Sequence, residues 1–432
     1  MPSPRSLARR TAVTAGTALL LAASALSAHA ESARDQQWFL DAMKAEQMWK
    51  TSTGKGVTVA VIDTGVDANH PDLKGQVLPG KDLAPKKPGD EHTDYDGHGT
   101  GMAGLIAGTG TRPGGTGAFG LAPGAEILPV RLPFSDALSQ AEGDKVFVKA
   151  TSEAIRYVAD EGAKVINISQ ASTLGGTQLT EAVKYALDKG ALVFAGVGND
   201  ANEGNSVMYP AATPGVVGVA AVGKDLKRTT ESEYGPQVDM AAPGEDMIEA
   251  CGGGTGLCRS HGTSDATALA SASAALIWSA HPKWTNNQVL RVMLNTIGAP
   301  VDGAKRTDAI GYGIVRPRVA LTNPGDPGPA DTYPLPDFPV KAGSKPSSAP
   351  AGGGTKEKTS APKDSGSSSP VAWVAGGVGG LVVVAAVVGF AVVRRRKQAA
   401  GSGHVAQPNP SYGPPPSYGP TSTNPQDPHR PY

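Results

Sequence analysis

The sequence has no surplus of charge of either sign: 39 Lys+Arg stand against 39 Asp+Glu in 432 residues. Nucleic acid is therefore not an expected partner, because that binding rests on a basic electrostatic footprint. There is no sustained heptad run, which excludes a fibrous coiled coil. Cysteine is nearly absent, with two residues in all, leaving at most one internal disulfide. What abounds is glycine, 56 residues, and proline, 36, together roughly a fifth of the chain, close to the ~25–30% at which composition reads as low-complexity. The prolines are unevenly placed. Nineteen of the 36 follow residue 323, while the other 17 are near the ordinary usage of about 5%. A globular part with room for a large core is thus joined to something extended.

The termini suggest how the chain is delivered. Arg5, Arg9 and Arg10 precede an apolar stretch over 12–26 and then Ser27-Ala28-His29-Ala30. That is the layout of an export signal over 1–30 cut after Ala30, with twin-arginine export through Arg9-Arg10 as the alternative to the general route. Residues 371–393 carry no charge and are long enough to cross a ~30 Å hydrocarbon core at about 1.5 Å per residue. Arg394-Arg395-Arg396-Lys397 follow at once. A basic flank stays cytoplasmic, so a single-pass cell-membrane protein with its main domain outside is expected. The organisation is then an N-terminal extension over 31–53, a folded domain over 54–322, a Pro/Gly/Ser-rich stalk over 323–370, a transmembrane helix over 371–393 and a cytoplasmic Pro-rich tail over 394–432. The stalk cannot bury enough apolar surface to offset its ordering entropy. The tail repeats Pro-Ser-Tyr-Gly-Pro, which either docks on a polyproline-recognising groove or stays solvated.

Within the folded domain, short β-branched runs alternate with longer amphipathic ones. Gly56-Val57-Thr58-Val59-Ala60-Val61-Ile62, Lys164-Val165-Ile166-Asn167-Ile168, Ala191-Leu192-Val193-Phe194-Ala195 and Val216-Val217-Gly218-Val219-Ala220 are buried-strand patterns. Helices are expected over 144–161, 178–189, 264–280 and 285–297. Near-continuous apolar strands separated by helices predict an α/β fold with a mainly parallel sheet covered on both faces. Catalytic groups in such sheets gather at the carboxyl ends of strands.

Three polar residues stand in Gly-bearing turns at such ends. Asp63 ends the first strand in Ile62-Asp63-Thr64-Gly65, where alone it would read as a turn or cap residue. His98, in Asp96-Gly97-His98-Gly99-Thr100, opens a run of small and apolar residues that lets backbone and substrate approach the ring. Other histidines lie in terminal segments, before proline, or in undistinguished surroundings, leaving His261 a distant second base. Ser264, in Ser260-His261-Gly262-Thr263-Ser264-Asp265, opens an Ala/Ser-rich helix and alone would read as an N-cap. Asp, His and Ser together are the groups of a nucleophilic triad, which recurs in several chain orders on unrelated folds.

These three segments, in this order and spacing, resemble the catalytic segments of subtilisin-like serine proteases, and the likeness covers most of 45–321. The resemblance implies Ser264 as nucleophile, His98 as general base and then acid, and Asp63 as the residue fixing its tautomer. Gly196-Val197-Gly198-Asn199 resembles the oxyanion segment, which implies that the Asn199 amide and the Ser264 backbone N–H receive the developing oxyanion. Asn167-Ile168-Ser169-Gln170 resembles the edge along which substrates align as an added strand, with Asn167 and Ser169 either contacting substrate or satisfying a neighbouring loop. Two departures stand out: Asp265 follows the nucleophile where an apolar residue is usual, and Ala268 replaces a proline. Asp265 would complement the helix N-terminus or stabilise protonated His98, moving activity to higher pH.

Cys251 and Cys258 flank a Gly-rich stretch just before Ser264. In an exported chain a disulfide is expected, with free thiols or a metal contribution as alternatives. No cofactor is implied. Asp94 and Asp96 suggest a cation such as Ca²⁺ only faintly, since turn chemistry accounts for them. Export, stalk, membrane span and basic stop, with Gln36-Gln37-Trp38 and Ala45-Glu46-Gln47-Met48-Trp49, make the chain similar to the mycosins, proteases associated with type VII secretion systems. The resemblance implies protein or peptide substrates and secretion-system partners. The competing reading is the same fold kept as a weak or inactive scaffold of a membrane secretion complex.

Overall fold

The structure is a computed structural model and describes residues 32–133, 138–252 and 256–338. The expected signal, membrane span and tail lie outside the described residues. Among the described residues, no helix is long and apolar enough to cross a membrane.

Seven parallel strands form the central sheet: β1 (Thr58–Asp63), β2 (Lys81–Asp82), β3 (Glu126–Arg131), β4 (Val165–Ile168), β5 (Leu192–Gly196), β6 (Val217–Val222) and β7 (Met240–Pro243), in the order β2-β3-β1-β4-β5-β6-β7. Strands β4 to β7 are buried at every residue and β1 at all but its first, as expected of strands covered on both faces. Helix α4 (His98–Ala107) leads from β2 to β3, and helices α5 (Gln140–Asp160) and α6 (Thr177–Asp188) lead on in the same direction, to β4 and β5. Crossovers of one hand would put all three on one face. Instead α4 packs on the long α7 (Thr263–Ala280), which lies across β4 to β7, whereas α5 packs on α6, so the β2–α4–β3 crossover has the opposite hand to those that follow. A separate antiparallel pair, β8 (Met247–Ala250) with β9 (Leu257–Ser260), sits beside α4. Helix α8 (Asn286–Asn295), capped by Thr285, and α9 (Pro317–Thr322) complete the domain.

Both ends of the domain reach further than the sequence suggests. Helices α1 (Ala33–Gln36), α2 (Trp38–Met43) and α3 (Ala45–Trp49) form in the extension, and Phe39, Leu40, Ala45 and Met48 join the main core. Gln37 is wholly buried. Its amide donates to Phe119 O (2.8 Å) and Ile248 O (3.0 Å) and accepts from Phe119 N (3.0 Å). At the other end the stalk was expected to begin at residue 323, yet the chain stays packed through Phe338. Tyr333 and Leu335 are buried, and the Tyr333 hydroxyl donates to Gly215 O at 2.8 Å. Arg291 holds this proline-rich run by donating to the carbonyls of Pro327 and Pro329, both at 2.8 Å. A segment without apolar periodicity is here ordered by hydrogen bonds to its carbonyls and by two anchor side chains.

From β1 the chain goes out to β2, returns to β3 beside β1 and then crosses to β4 on the other side of β1, so the strand order reverses next to β1. Ligands in open α/β sheets bind at the carboxyl ends flanking such a switch point. Asp63 ends β1, Ser169 follows β4 and Asn199 follows β5.

Candidate active site

Asp63 is fully buried. Its Oδ1 accepts from His98 Nδ1 (2.8 Å), the Thr64 backbone N–H (2.8 Å) and Gln170 Nε2 (3.2 Å). Oδ2 is buried without a hydrogen-bond partner. His98 reaches Asp63 because α4 begins hard against the end of β1. A Cβ on Gly99 would lie 2.1 Å from Gly65 O and 3.1 Å from Asp63 Cβ, so only glycine permits this approach. Asp94 fixes the same turn, its carboxylate accepting from the Gly97 and Thr100 backbone N–H groups (2.8 and 2.7 Å) and from the Thr64 and Thr100 hydroxyls (2.8 and 2.6 Å). Its oxygens are thus occupied as a helix cap. Among the described residues no cluster of three metal-ligating side chains occurs.

Ser264 is the second residue of α7, so its backbone N–H is one of the helix's unpaired N-terminal donors. The Ser264 hydroxyl donates to Ser169 O at 3.0 Å, and the Ser169 hydroxyl donates back to Ser264 O at 3.1 Å. Among the described residues no hydrogen bond joins Ser264 to His98. Asn199 lies exposed at the same helix end, where its Oδ1 accepts from Thr263 N at 2.9 Å. That contact orients the side-chain amide and leaves its Nδ2 donors for another acceptor. Asp63, His98, Ser264 and Asn199 thus stand at the carboxyl ends of the central strands and at the starts of α4 and α7.

Other expected residues are placed differently. Asn167 is completely buried; it donates to the Ser169 hydroxyl and accepts from the Ser271 hydroxyl of α7, both at 3.0 Å. It supports the edge from beneath rather than facing it. His261 has a side chain 71% exposed, with Nδ1 3.4 Å from Glu231, and stands apart from Asp63. Cys251 and Cys258 form a disulfide with Cα atoms 5.8 Å apart, closing the β8–β9 hairpin.

Asp265 is almost wholly buried, at 1% exposure, and Glu249 of β8 is buried beside it at 5%. Their carboxyls share a hydrogen bond, and the Ser260 hydroxyl donates to Asp265 Oδ1 at 2.5 Å. Burial, then the charge of Asp265, holds the Glu249 carboxyl well above the usual carboxylate range; burial also raises Asp265. Burial acts to lower the pKa of His98, but Asp63, and after it Glu249 and Asp265, outweigh this and push the imidazole up to about 10. The motifs draw attention to Asp265; nothing in the sequence marks Glu249, which sits in an unremarked strand. Gln170 belongs to the segment that resembles the substrate-aligning edge, but its contact with Asp63 was not foreseen.

Comparisons with known proteins agree with this geometry. The subtilase family model matches residues 54–316. Thermitase of Thermoactinomyces vulgaris is 38% identical over 202 residues, 47% of this chain and 68% of that protein. The solved MycP3 protease from the type VII (ESX-3) secretion system aligns with a TM-score of 0.58 at 32% identity, over 66% of this chain and 88% of that one. A structure of the periplasmic assembly from the ESX-5 inner membrane complex aligns with a TM-score of 0.57 at 28% identity, over 72% of this chain and 89% of that one. With its parallel sheet, its site at the switch point and a family match over most of the folded residues, the chain belongs to the subtilase family of serine endopeptidases and is related to the type VII secretion proteases.

Proposed function

We propose that this endopeptidase works through Asp63, His98 and Ser264 as its triad and Asn199 as oxyanion donor. We further propose that it is exported, anchored by residues 371–393, and acts on protein or peptide substrates beside a type VII secretion complex. The observation that carries the catalytic reading is the 2.8 Å bond from His98 Nδ1 to Asp63 Oδ1, because it fixes the tautomer that leaves Nε2 as the base. An extended peptide adding itself to the edge after β4 takes up the Ser169 carbonyl with a backbone N–H. The Ser264 hydroxyl, which rests on that carbonyl, is then released to His98. His98 Nε2 takes the Ser264 proton as Oγ attacks the scissile carbonyl. Asn199 Nδ2 and the Ser264 backbone N–H receive the oxyanion, and the imidazolium returns the proton to the leaving amine. Water then hydrolyses the acyl-enzyme with His98 again as base. The membrane and secretion parts of the proposal are supported by the relatives' own settings and by the uncharged run and its basic flank.

The test is labelling of the folded protein by a fluorophosphonate, compared with Ser264→Ala. Labelling that depends on Ser264 is expected; its absence would sink the triad. Comparing secretion in Ser264→Ala cells with that in cells lacking the protein separates chemistry from scaffolding. Secretion retained in the first and lost in the second assigns a scaffold role beside the catalytic one.

A further inference from the structure

Where β8 packs against α4, the helix that His98 opens, the domain buries two acids that the triad does not use. Glu249 comes from β8 and Asp265 from the first turn of α7. Both are buried and within a hydrogen bond of each other. Gly101, in the first turn of α4 after His98, lies against them: a Cβ there would be 2.4 Å from Glu249 Oε1. The Ser260 hydroxyl of β9 donates to Asp265 Oδ1. Glu249 Oε2, by contrast, is buried with no hydrogen-bond partner. Two carboxylates at this separation cannot both ionise out of water, so they hold one proton between them. The hydroxyl donor on Asp265 places the charge there and the proton on Glu249.

We propose that Glu249 and Asp265 act as a one-proton pair that keeps a single negative charge against His98 and stabilises the imidazolium formed when Ser264 gives up its proton. The groups facing the imidazole are Asp63 from β1, Glu249 from β8 and Asp265 from α7. Those facing the pair are His98 from α4 and the Ser260 hydroxyl from β9. Asp63 holds Nδ1 by hydrogen bond and sets the direction of the ring. The pair makes no hydrogen bond to the ring and contributes charge alone. Glu249 and Asp265 are therefore positioning residues, acting through His98. The proton they retain lets the fold bury two acids at the cost of one charge, and it explains how an acid is tolerated next to the nucleophile. A lone carboxylate at 265 would oppose the developing oxyanion on Ser264's side as much as it favoured His98. Sharing with Glu249 draws its density toward β8.

The proposal rests on the triad reading, so its test has one arm that needs activity and one that does not. In the first, kcat/KM is followed against pH for the natural protein, Glu249→Gln, Asp265→Asn and the double variant. Each single variant keeps one ionisable carboxyl and should move the acid limb little. The double variant removes the charge and should move the limb to lower pH by about one to three units. A double variant that is active with an unmoved limb overturns the proposal, since a purely structural role would change stability and leave the limb in place. In the second arm, Ser264→Ala is examined by infrared difference spectroscopy at neutral pH, with and without Asp265→Asn. A protonated-carboxyl C=O band should be present and be lost when Asp265→Asn lets Glu249 ionise in its place. A difference spectrum without that band overturns the pair even if the double variant does not fold. Absence of Ser264-dependent activity would count against the triad and leave this second arm readable.

Discussion

His98 is influenced by two buried acidic environments of different construction. On the β1 side, Asp63 is met by donors: the Thr64 N–H, the His98 ring and the Gln170 amide all converge on Oδ1. On the β8 side, Glu249 and Asp265 have the Ser260 hydroxyl and the Asp265 backbone N–H, and otherwise each other. All three acids are at most 5% exposed. Burial therefore does not assign a buried acid its task; the supply of donors around it does. One side orients the ring and the other supplies charge.

The comparison can be broken most forcefully at Asp63. Asp63→Asn should lower kcat by about 10⁴-fold, because an amide favours the wrong tautomer of His98. If the two sides do different work, the Glu249→Gln/Asp265→Asn protein should lose far less kcat on the alkaline plateau than Asp63→Asn does. Equal losses in the two variants, measured on one peptide substrate, would erase the distinction. A second contrast lies in the first turn of α4. Gly99→Ala meets the Gly65 carbonyl at 2.1 Å, a backbone atom that cannot step aside, and should cost about 1–3 kcal/mol in urea unfolding. Gly101→Ala meets only the movable end of Glu249 and should cost less, while disturbing the acid limb of the pH profile. The opposite ranking would mean that the Glu249 carboxyl is the more rigid of the two neighbours.

The mildest effect concerns stability. Burial pushes Glu233, with help from Asp200, up to about 7 and Asp239 up to about 8; Glu249 and Asp265 are raised, and His98 stands at about 10. Every one of these groups binds its proton more tightly folded than unfolded. Their contribution is full below the unfolded values, about 4 for carboxyls and 6.5 for His98, and is lost as pH rises through the folded values. The thermal midpoint should therefore fall between about pH 5 and 9, while activity, with His98 as the proposed base, should rise over the same interval. A midpoint that climbs with pH would show the acidic interior to be arranged otherwise.

Strands β1, β4, β5 and β6 were readable because unbroken β-branched runs have one use in a covered sheet. Strand β3 was not: Pro129 sits inside it, paired in register with Val61, and a proline argues against a central strand. The neighbouring β2 is only two residues long, so much of that side of β3 has no ladder for Pro129 to interrupt. Strand β7 hid behind Ala241, Ala242 and Pro243, which have little strand preference. The helices around Ser264 and between the strands were legible to within a few residues, because periodicity survives fraying at their ends. For the candidate site, the turns that carry Asp63, His98, Ser264 and Asn199 could be picked out since glycines mark them. The environment of Asp265 could not be read, because Glu249 reaches it from a separate hairpin and no local spacing records a contact made through folding. For Asn167 the sequence left two roles open, contacting substrate or satisfying a neighbour, and the structure turns it to Ser169 and Ser271, since a strand-end residue offers two directions and its sequence neighbours do not choose between them.

The buried amide of Gln37 has a practical consequence. It ties the chain ahead of β1 to Phe119 beyond α4 and to Ile248, the residue before Glu249, while Tyr333 closes over Gly215 at the far end. Anyone producing this enzyme from the family-matched residues 54–316 alone would remove both fastenings and leave the backbone groups of Phe119, Ile248 and Gly215 without these partners. Purification tags and cleavage sites belong ahead of residue 32 and beyond residue 338, outside the part of the chain that the active site depends on.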